Sequence, residues 1–155
     1  MKKKGRKILG IICMIIAVSL VNIVPVMAGE VAAGLETDLD FAEDTTYSVL
    51  RGNNLNFGTA TIKKLASNKV IISGITQCHH NCSKVYLSLA LERKVNGSYG
   101  TYKSWDFTAS NTSNLTKDIT VIVPRGYYYR VRGYHAAKDG SKESVSTLTK
   151  GILIK

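Results

Sequence analysis

The sequence predicts an all-β protein: an antiparallel β-sandwich of about seven strands that comes after an N-terminal export signal. Three observations predict it. After Tyr47 the apolar residues recur with period two and nowhere sustain a helical period. Turn-forming pairs such as Asn96-Gly97 and Asp139-Gly140 separate the alternating runs. The alternating region is about 110 residues long, which suits one domain with one core.

The N-terminus comes first in the chain and has its own logic. Lys2, Lys3, Lys4, Arg6 and Lys7 precede an apolar run from Ile8 to about Val26, and Val26-Met27-Ala28 places small residues before Gly29. That order of basic, apolar and small-residue regions is a secretory signal over residues 1–28. The competing reading is an uncleaved membrane anchor, because the run is nearly long enough to span a bilayer. Pro25 and Asn22 interrupt it, which favours cleavage.

Charge then divides the remainder. The whole chain has 21 Lys and Arg against 11 Asp and Glu, a net of +10. Glu30, Glu36, Asp38, Asp40, Glu43 and Asp44 lie together without a basic residue, so residues 45–155 carry 16 basic and 5 acidic side chains, or +11. A block of like charge with few large apolar residues does not bury enough to offset its ordering entropy. Residues 29–45 are therefore expected to be a flexible acidic linker, and residues 46–155 the folded domain.

Within that domain the expected strands are Phe57–Lys64, Lys69–Thr76, a strand carrying Val85, Leu87, Leu89 and Leu91, then Tyr99–Phe107, Lys117–Val123, Gly126–His135 and Ser144–Ile154. Asn96-Gly97 supplies the positive-φ pair of a tight hairpin, Asp139-Gly140 a second, and Pro124-Arg125-Gly126 a bend. One face of each strand makes the core: Val70, Ile72, Val85, Leu87, Leu89, Leu91, Trp105, Phe107, Ile119, Val121, Tyr127, Tyr129 and Val131.

Two family resemblances attach to particular residues. The stretch from Pro124 through Gly126-Tyr127-Tyr128-Tyr129-Arg130-Val131-Arg132-Gly133-Tyr134-His135 to Ser141 resembles the F strand and F–G loop of fibronectin type III domains. It implies that Tyr127 is the corner tyrosine, with its hydroxyl on nearby backbone. The segments Leu91-Glu92-Arg93, Lys103-Ser104-Trp105-Asp106-Phe107 and Gly126–Val131 resemble a family of small exported clostridial, Gram-positive β-domain proteins of unknown function. That resemblance covers most of residues 47–155 and implies no activity.

Cys78-His79-His80-Asn81-Cys82 is the most unusual local pattern. Two cysteines remain after the signal, and in an exported chain they read as a short disulfide, Cys78 to Cys82. The alternative is a transition-metal site, the one cofactor the sequence admits, since thiols and imidazoles are its usual ligands. In a fibronectin-like plan the B–C and F–G loops share one end, which would gather Cys78, His79, His80, Cys82 and His135 there. Reduced thiols without a role are the third reading.

A second constellation lies on the outward face of the expected strand F, where Tyr128, Arg130, Arg132 and Tyr134 alternate with core residues. Tyr86, Ser88 and Glu92 would face outward beside them. Tyr rings interleaved with guanidinium groups can stack on sugars or hold anionic polymers. The same residues can equally form a self-satisfied ladder that covers the sheet.

The sequence offers an enzyme little. Cys82 or Ser141 with His135 and Asp139 has no recognised nucleophile spacing, and Glu92, Asp106, Asp118, Asp139 and Glu143 are dispersed rather than paired. Export removes the chain from most nucleic acid, and no reading motif is present. The expectation is a secreted or cell-surface, non-enzymatic binding domain whose partners are glycans or anionic wall polymers, with membrane contact only through an uncleaved signal. The competing functions are a metal-binding or redox-responsive module and a small secreted basic toxin.

Overall fold

The computed structural model describes residues 36–48 and 54–155, all within the unit Ala32–Lys155. The expected export signal at residues 1–28 lies outside the described residues. Among those described, no helix is long and apolar enough to cross a membrane. Eight strands form one mixed sheet: β1 (Glu36–Thr37), β2 (Phe41–Tyr47), β3 (Leu55–Ala66), β4 (Lys69–Val95), β5 (Ser98–Ile122), β6 (Tyr127–Asp139), β7 (Ser141–Leu148) and β8 (Gly151–Ile154). All neighbouring pairs are antiparallel except β1 with β8.

Two of the eight strands are far longer than the sequence implies. The expected strands Lys69–Thr76 and Val85–Leu91 are one 27-residue strand, β4, and Tyr99–Phe107 and Lys117–Val123 are one 25-residue strand, β5. The first half of β4 lies between β3 and β5, and its second half between β6 and β5. The change happens where β4 residues 78–81 face the single β5 residue Ser113. An odd number of extra residues reverses which side chains face inward. Before this bulge the even positions Val70, Ile72, Gly74 and Thr76 are buried, and after it the odd positions Val85, Leu87, Leu89 and Leu91. Thus the Cys-His-His-Asn-Cys pattern is a corner within a strand and not a loop between strands.

The sheet curls until its ends nearly meet. Asp44 Oδ2 on β2 accepts from the Leu148 backbone N–H of β7 at 2.7 Å, and Thr46 Oγ1 donates to the Ser146 carbonyl at 3.0 Å. Inside the curl, Ile62, Ile72, Leu87, Leu89, Leu91, Tyr129, Val131 and Ile152 are fully buried in one core. Trp105, Phe107 and Ile119, expected in the core, are only partly buried against it, because β5 has a neighbour on one side alone. Tyr127 is 37% exposed, so it too departs from the expected core.

The acidic linker expected over 29–45 is corrected for its described part, since residues 36–45 include β1 and most of β2. Like charges in sequence are not neighbours of like charge in space. Glu36 pairs with Lys94, Asp40 lies 3.4 Å from Lys64, and Asp44 accepts a backbone N–H. The basic domain supplies the partners that the segment lacks by itself. Finally, the expected strand Ser144–Ile154 is two strands, separated at Thr149. Thr149 donates its N–H to the Val131 carbonyl, and its hydroxyl accepts from the Val131 N–H, so one extra residue is accommodated against β6.

Candidate functional site

The outward face of β6 and its neighbours is built by simple alternation. Tyr129, Val131, Gly133 and His135 point into the core, which turns Tyr128, Arg130, Arg132 and Tyr134 outward as the sequence predicts. Register then sets their partners: Arg130 is opposite Glu92, Arg132 opposite Ala90, Tyr134 opposite Ser88, and Ala136 opposite Tyr86. Outward does not mean exposed, however. Arg130 is 7% exposed, while Tyr134 is 37% exposed.

Glu92 organises this face. Arg130 Nε donates to its Oε2 at 2.6 Å and Arg132 Nε to its Oε1 at 2.8 Å, so one carboxylate holds two guanidinium groups. Burial raises the Glu92 pKa, but the hydrogen bonds and charges of Arg132 and Arg130 outweigh it and hold the carboxyl below its usual range. The side chain of Arg132 is 49% exposed, in contrast to Arg130 at 8%. Farther along, Lys142 Nζ sits 4.7 Å from the Tyr86 ring centroid and 5.5 Å from that of Tyr134. Lys94 lies 5.9 Å from Tyr128. The five residues expected to form a binding face do share one surface, and a good part of their capacity is used on Glu92, Lys94 and Lys142.

Tyr99 and Lys94 belong to the same surface, although alternation along β6 does not reveal them. A sequence signal for them exists: a two-residue Asn96-Gly97 turn aligns Val95 with Ser98 and Lys94 with Tyr99, which places both beside Glu92. The φ values of Asn96 and Gly97, 50° and 84°, are those such a turn requires.

The Cys/His set does not converge. Cys78 and Cys82 are free thiols, both buried at the β4 bulge, and the Cys82 thiol donates to the His80 carbonyl at 3.6 Å. Burial, then the hydrogen bond and charge of Cys82, then Glu143, push the Cys78 thiol up to about 12. The Cys82 pKa is also raised, first by burial. Both shifts favour the thiol over the thiolate that metal ligation or nucleophilic attack requires. His79 and His80 point outward, and His80 Nε2 is 3.3 Å from Asp139 Oδ2.

His135 is elsewhere altogether, fully buried beneath β4. Its Nδ1 lies 3.1 Å from Thr76 Oγ1, and its Nε2 lies 3.0 Å from Thr147 Oγ1. The Thr76 hydroxyl donates to the Tyr86 carbonyl, which assigns the imidazole proton to Nδ1 and makes Nε2 the acceptor. Burial lowers its pKa to about 4, against the opposing effects of the Ile75 backbone and the Asp44 charge. The expected metal set Cys78, His79, His80, Cys82 and His135 is thus corrected: among the described residues no group of three or more His, Cys, Asp or Glu is placed to hold a metal ion. Nor is His135 aligned with Cys82, Ser141 and Asp139, since both ring nitrogens face threonines.

The hydroxyl-to-backbone bond expected of Tyr127 is made by another residue. Tyr129, not Tyr127, donates its hydroxyl to the Pro124 carbonyl at 2.9 Å. Tyr127 lies at the strand end, where Arg93 is held 4.8 Å from its ring and 5.0 Å from that of Tyr102.

Comparison with known proteins agrees with the sequence resemblance in kind. The model of the family of unknown function DUF6147 matches residues 30–151. The chain belongs to the DUF6147 family. Its match begins ahead of β1 and so includes the acidic segment. No curated protein matches this DUF6147 chain. Among solved structures it is similar to Spo0M, a sporulation control protein from Bacillus subtilis, with a TM-score of 0.38 and 12% identity over 75% of this chain and 50% of that one. The chain therefore spans about half the length of that neighbour. It is also similar to chicken MD-1, whose structure was solved complexed with lipid IVa, with a TM-score of 0.29 and 13% identity over 68% of this chain and 94% of that one. At these scores the likenesses assign neither topology nor role.

Proposed function

We propose that this DUF6147 protein is an exported, non-enzymatic binding domain that acts at or outside the cell envelope, and that the outer face of β4, β6 and β7 is its contact surface. The observation that carries the reading is the ratio at Glu92, where two guanidiniums share one carboxylate and Arg132 remains half exposed beside Tyr134. The surface therefore has excess positive charge on a rigid, aromatic-lined sheet, which suits acidic glycans or anionic wall polymers. Export is supported by residues 1–28, and a fibronectin-like packing by the Tyr129 hydroxyl bonded to the Pro124 carbonyl. The non-enzymatic reading draws on His135 and Glu92, the side chains best suited to proton transfer, which are engaged by two threonines and two arginines.

The test is co-sedimentation of the purified protein with isolated Gram-positive cell wall across a salt series. Retention should fall as salt rises. Arg132→Ala with Tyr134→Ala should release the protein at least about fivefold more readily at fixed salt, because one removes the exposed cation and the other its neighbouring ring. Equal retention of the variant and the parent, or retention of neither, would remove this surface from consideration.

A second reading is a redox-responsive module, favoured by one observation: two buried thiols within hydrogen-bond reach at the corner of β4. An external oxidant that accepted two electrons and two protons would join them. Intact mass of the exported protein, before and after reduction, decides that reading.

A further inference from the structure

Among the described residues, one buried side-chain polar atom has no hydrogen-bond partner: Arg130 Nη1. A guanidinium N–H without an acceptor is costly in a buried setting and calls for a reason. The group is nevertheless held in place, since Nε bonds Glu92 and the guanidinium carbon lies 4.0 Å from the Tyr99 ring centroid. Tyr99 is therefore a roof over Arg130.

The roof is reached from three neighbouring strands. Tyr99 extends from β5 across the face until its hydroxyl meets Gly151 of β8, where an added Cβ would lie 2.0 Å from that oxygen. Its hydroxyl is also 3.4 Å from Glu36 Oε1 on β1. Only glycine at 151 leaves room for the ring to lie this far over. The ring is thus packed against Arg130 beneath and Gly151 at its tip, with Lys94 Nζ 5.9 Å from its centroid.

Charge gives the same direction. Glu92 neutralises one of its two arginines, and Lys94 is paired with Glu36, so one positive charge at this spot has no counter-charge. We infer that Arg130 Nη1, roofed by Tyr99, is a binding position for a single oxyanion group, a carboxylate or a phosphate, admitted when the ring swings aside. A planar guanidinium already fixed at Nε presents its remaining donor in a set direction, which oxyanion oxygens match. The inference rests on the outer face being a binding surface and names the chemical group that surface would take.

The experiment is a titration of the purified, isotopically labelled protein with inorganic phosphate and, separately, acetate, at constant ionic strength against chloride. Arginine side-chain nitrogen resonances are the readout. Arg130 should shift to saturation while Arg132 moves little, and whichever anion saturates first identifies phosphate or carboxylate as the preferred group. Arg130→Lys, which keeps the charge and loses the fork, should weaken binding about tenfold. Tyr99→Ala should strengthen it several-fold by removing the roof, and Tyr99→Phe should leave it within about twofold.

Unmoved Arg130 resonances in the unsubstituted protein would overturn the inference without recourse to any variant, as would Arg130→Lys titrating like the parent. The two proposals separate cleanly. Saturable phosphate at Arg130 with no retention on cell wall keeps the site and removes the envelope reading; wall retention with a silent Arg130 does the reverse.

Discussion

His135 and Arg130 lie on the same strand and face opposite sides of it, and both are buried, yet their surroundings differ in kind. The imidazole is neutral, has a partner for each ring nitrogen, and is enclosed by the bare backbones of Gly58 and Gly133. The guanidinium is charged, shares its carboxylate with Arg132, and keeps one donor unused. A polar group that only supports a fold is usually satisfied completely, because any remainder costs stability. The Arg130 cluster has a remainder in both charge and hydrogen bonding, and that contrast is what singles out the outer face.

The strongest way to break the contrast is at Glu92. Glu92→Ala leaves Arg130 buried without its carboxylate and should cost about 4 kcal/mol in chemical denaturation. If the cost comes from the stranded charge, adding Arg130→Met to Glu92→Leu should restore stability to within about 1 kcal/mol of the parent. A double variant as unstable as Glu92→Ala would mean that the pair itself holds the strands together.

Acid should break the other cluster, in a different window. Burial depresses the His135 pKa to about 4 in the fold, so between the ordinary value of 6.5 and 4 the unfolded chain takes up a proton that the native one refuses. Stability is then fully present above about 6.5 and falls by about 3 kcal/mol on descending to 4. Glu92, held below the usual carboxylate range, contributes its loss only further into acid. Denaturation midpoints across this range should slope for the parent and flatten for His135→Gln; an unchanged slope in the variant would assign the acid sensitivity elsewhere.

Crowding around the imidazole supplies a smaller test. A Cβ at Gly58 would come 2.2 Å from His135 Cγ, near the rigid root of the side chain, so Gly58→Ala should cost about 2 kcal/mol by overpacking. Smallest of all is Arg132→Ala. Its side chain is 49% exposed, and its loss should change stability by less than about 1 kcal/mol while lowering retention on cell wall. A large stability effect there would make Arg132 a structural member of the Glu92 cluster and weaken its role as a contact.

Local alternation and turn chemistry are properties of contiguous residues, and the sequence by itself determined the features that depend on them alone. Val85, Leu87, Leu89 and Leu91 had to share one face, Asn96-Gly97 had to turn a hairpin, and Tyr128, Arg130, Arg132 and Tyr134 had to emerge opposite Tyr129 and Val131. Tertiary structure decided everything that depends on residues far apart in the chain. Cys78 and Cys82 became a corner because three extra residues of β4 found no counterpart in β5. Residues 36–45 joined the sheet through β1 and β2 because Lys64, Lys94 and the β7 backbone met their carboxylates, contacts that a count of charge along the chain does not contain. His135, which alternation alone points inward, was drawn from a supposed metal pole into the core by Thr76 and Thr147, far from it in sequence. Tyr99 reached Arg130 because Gly151, on a strand more than fifty residues later, has no side chain to stop it. Periodicity assigns a side chain to a face; only the neighbouring strands decide whether that face is covered, paired or left with something to bind.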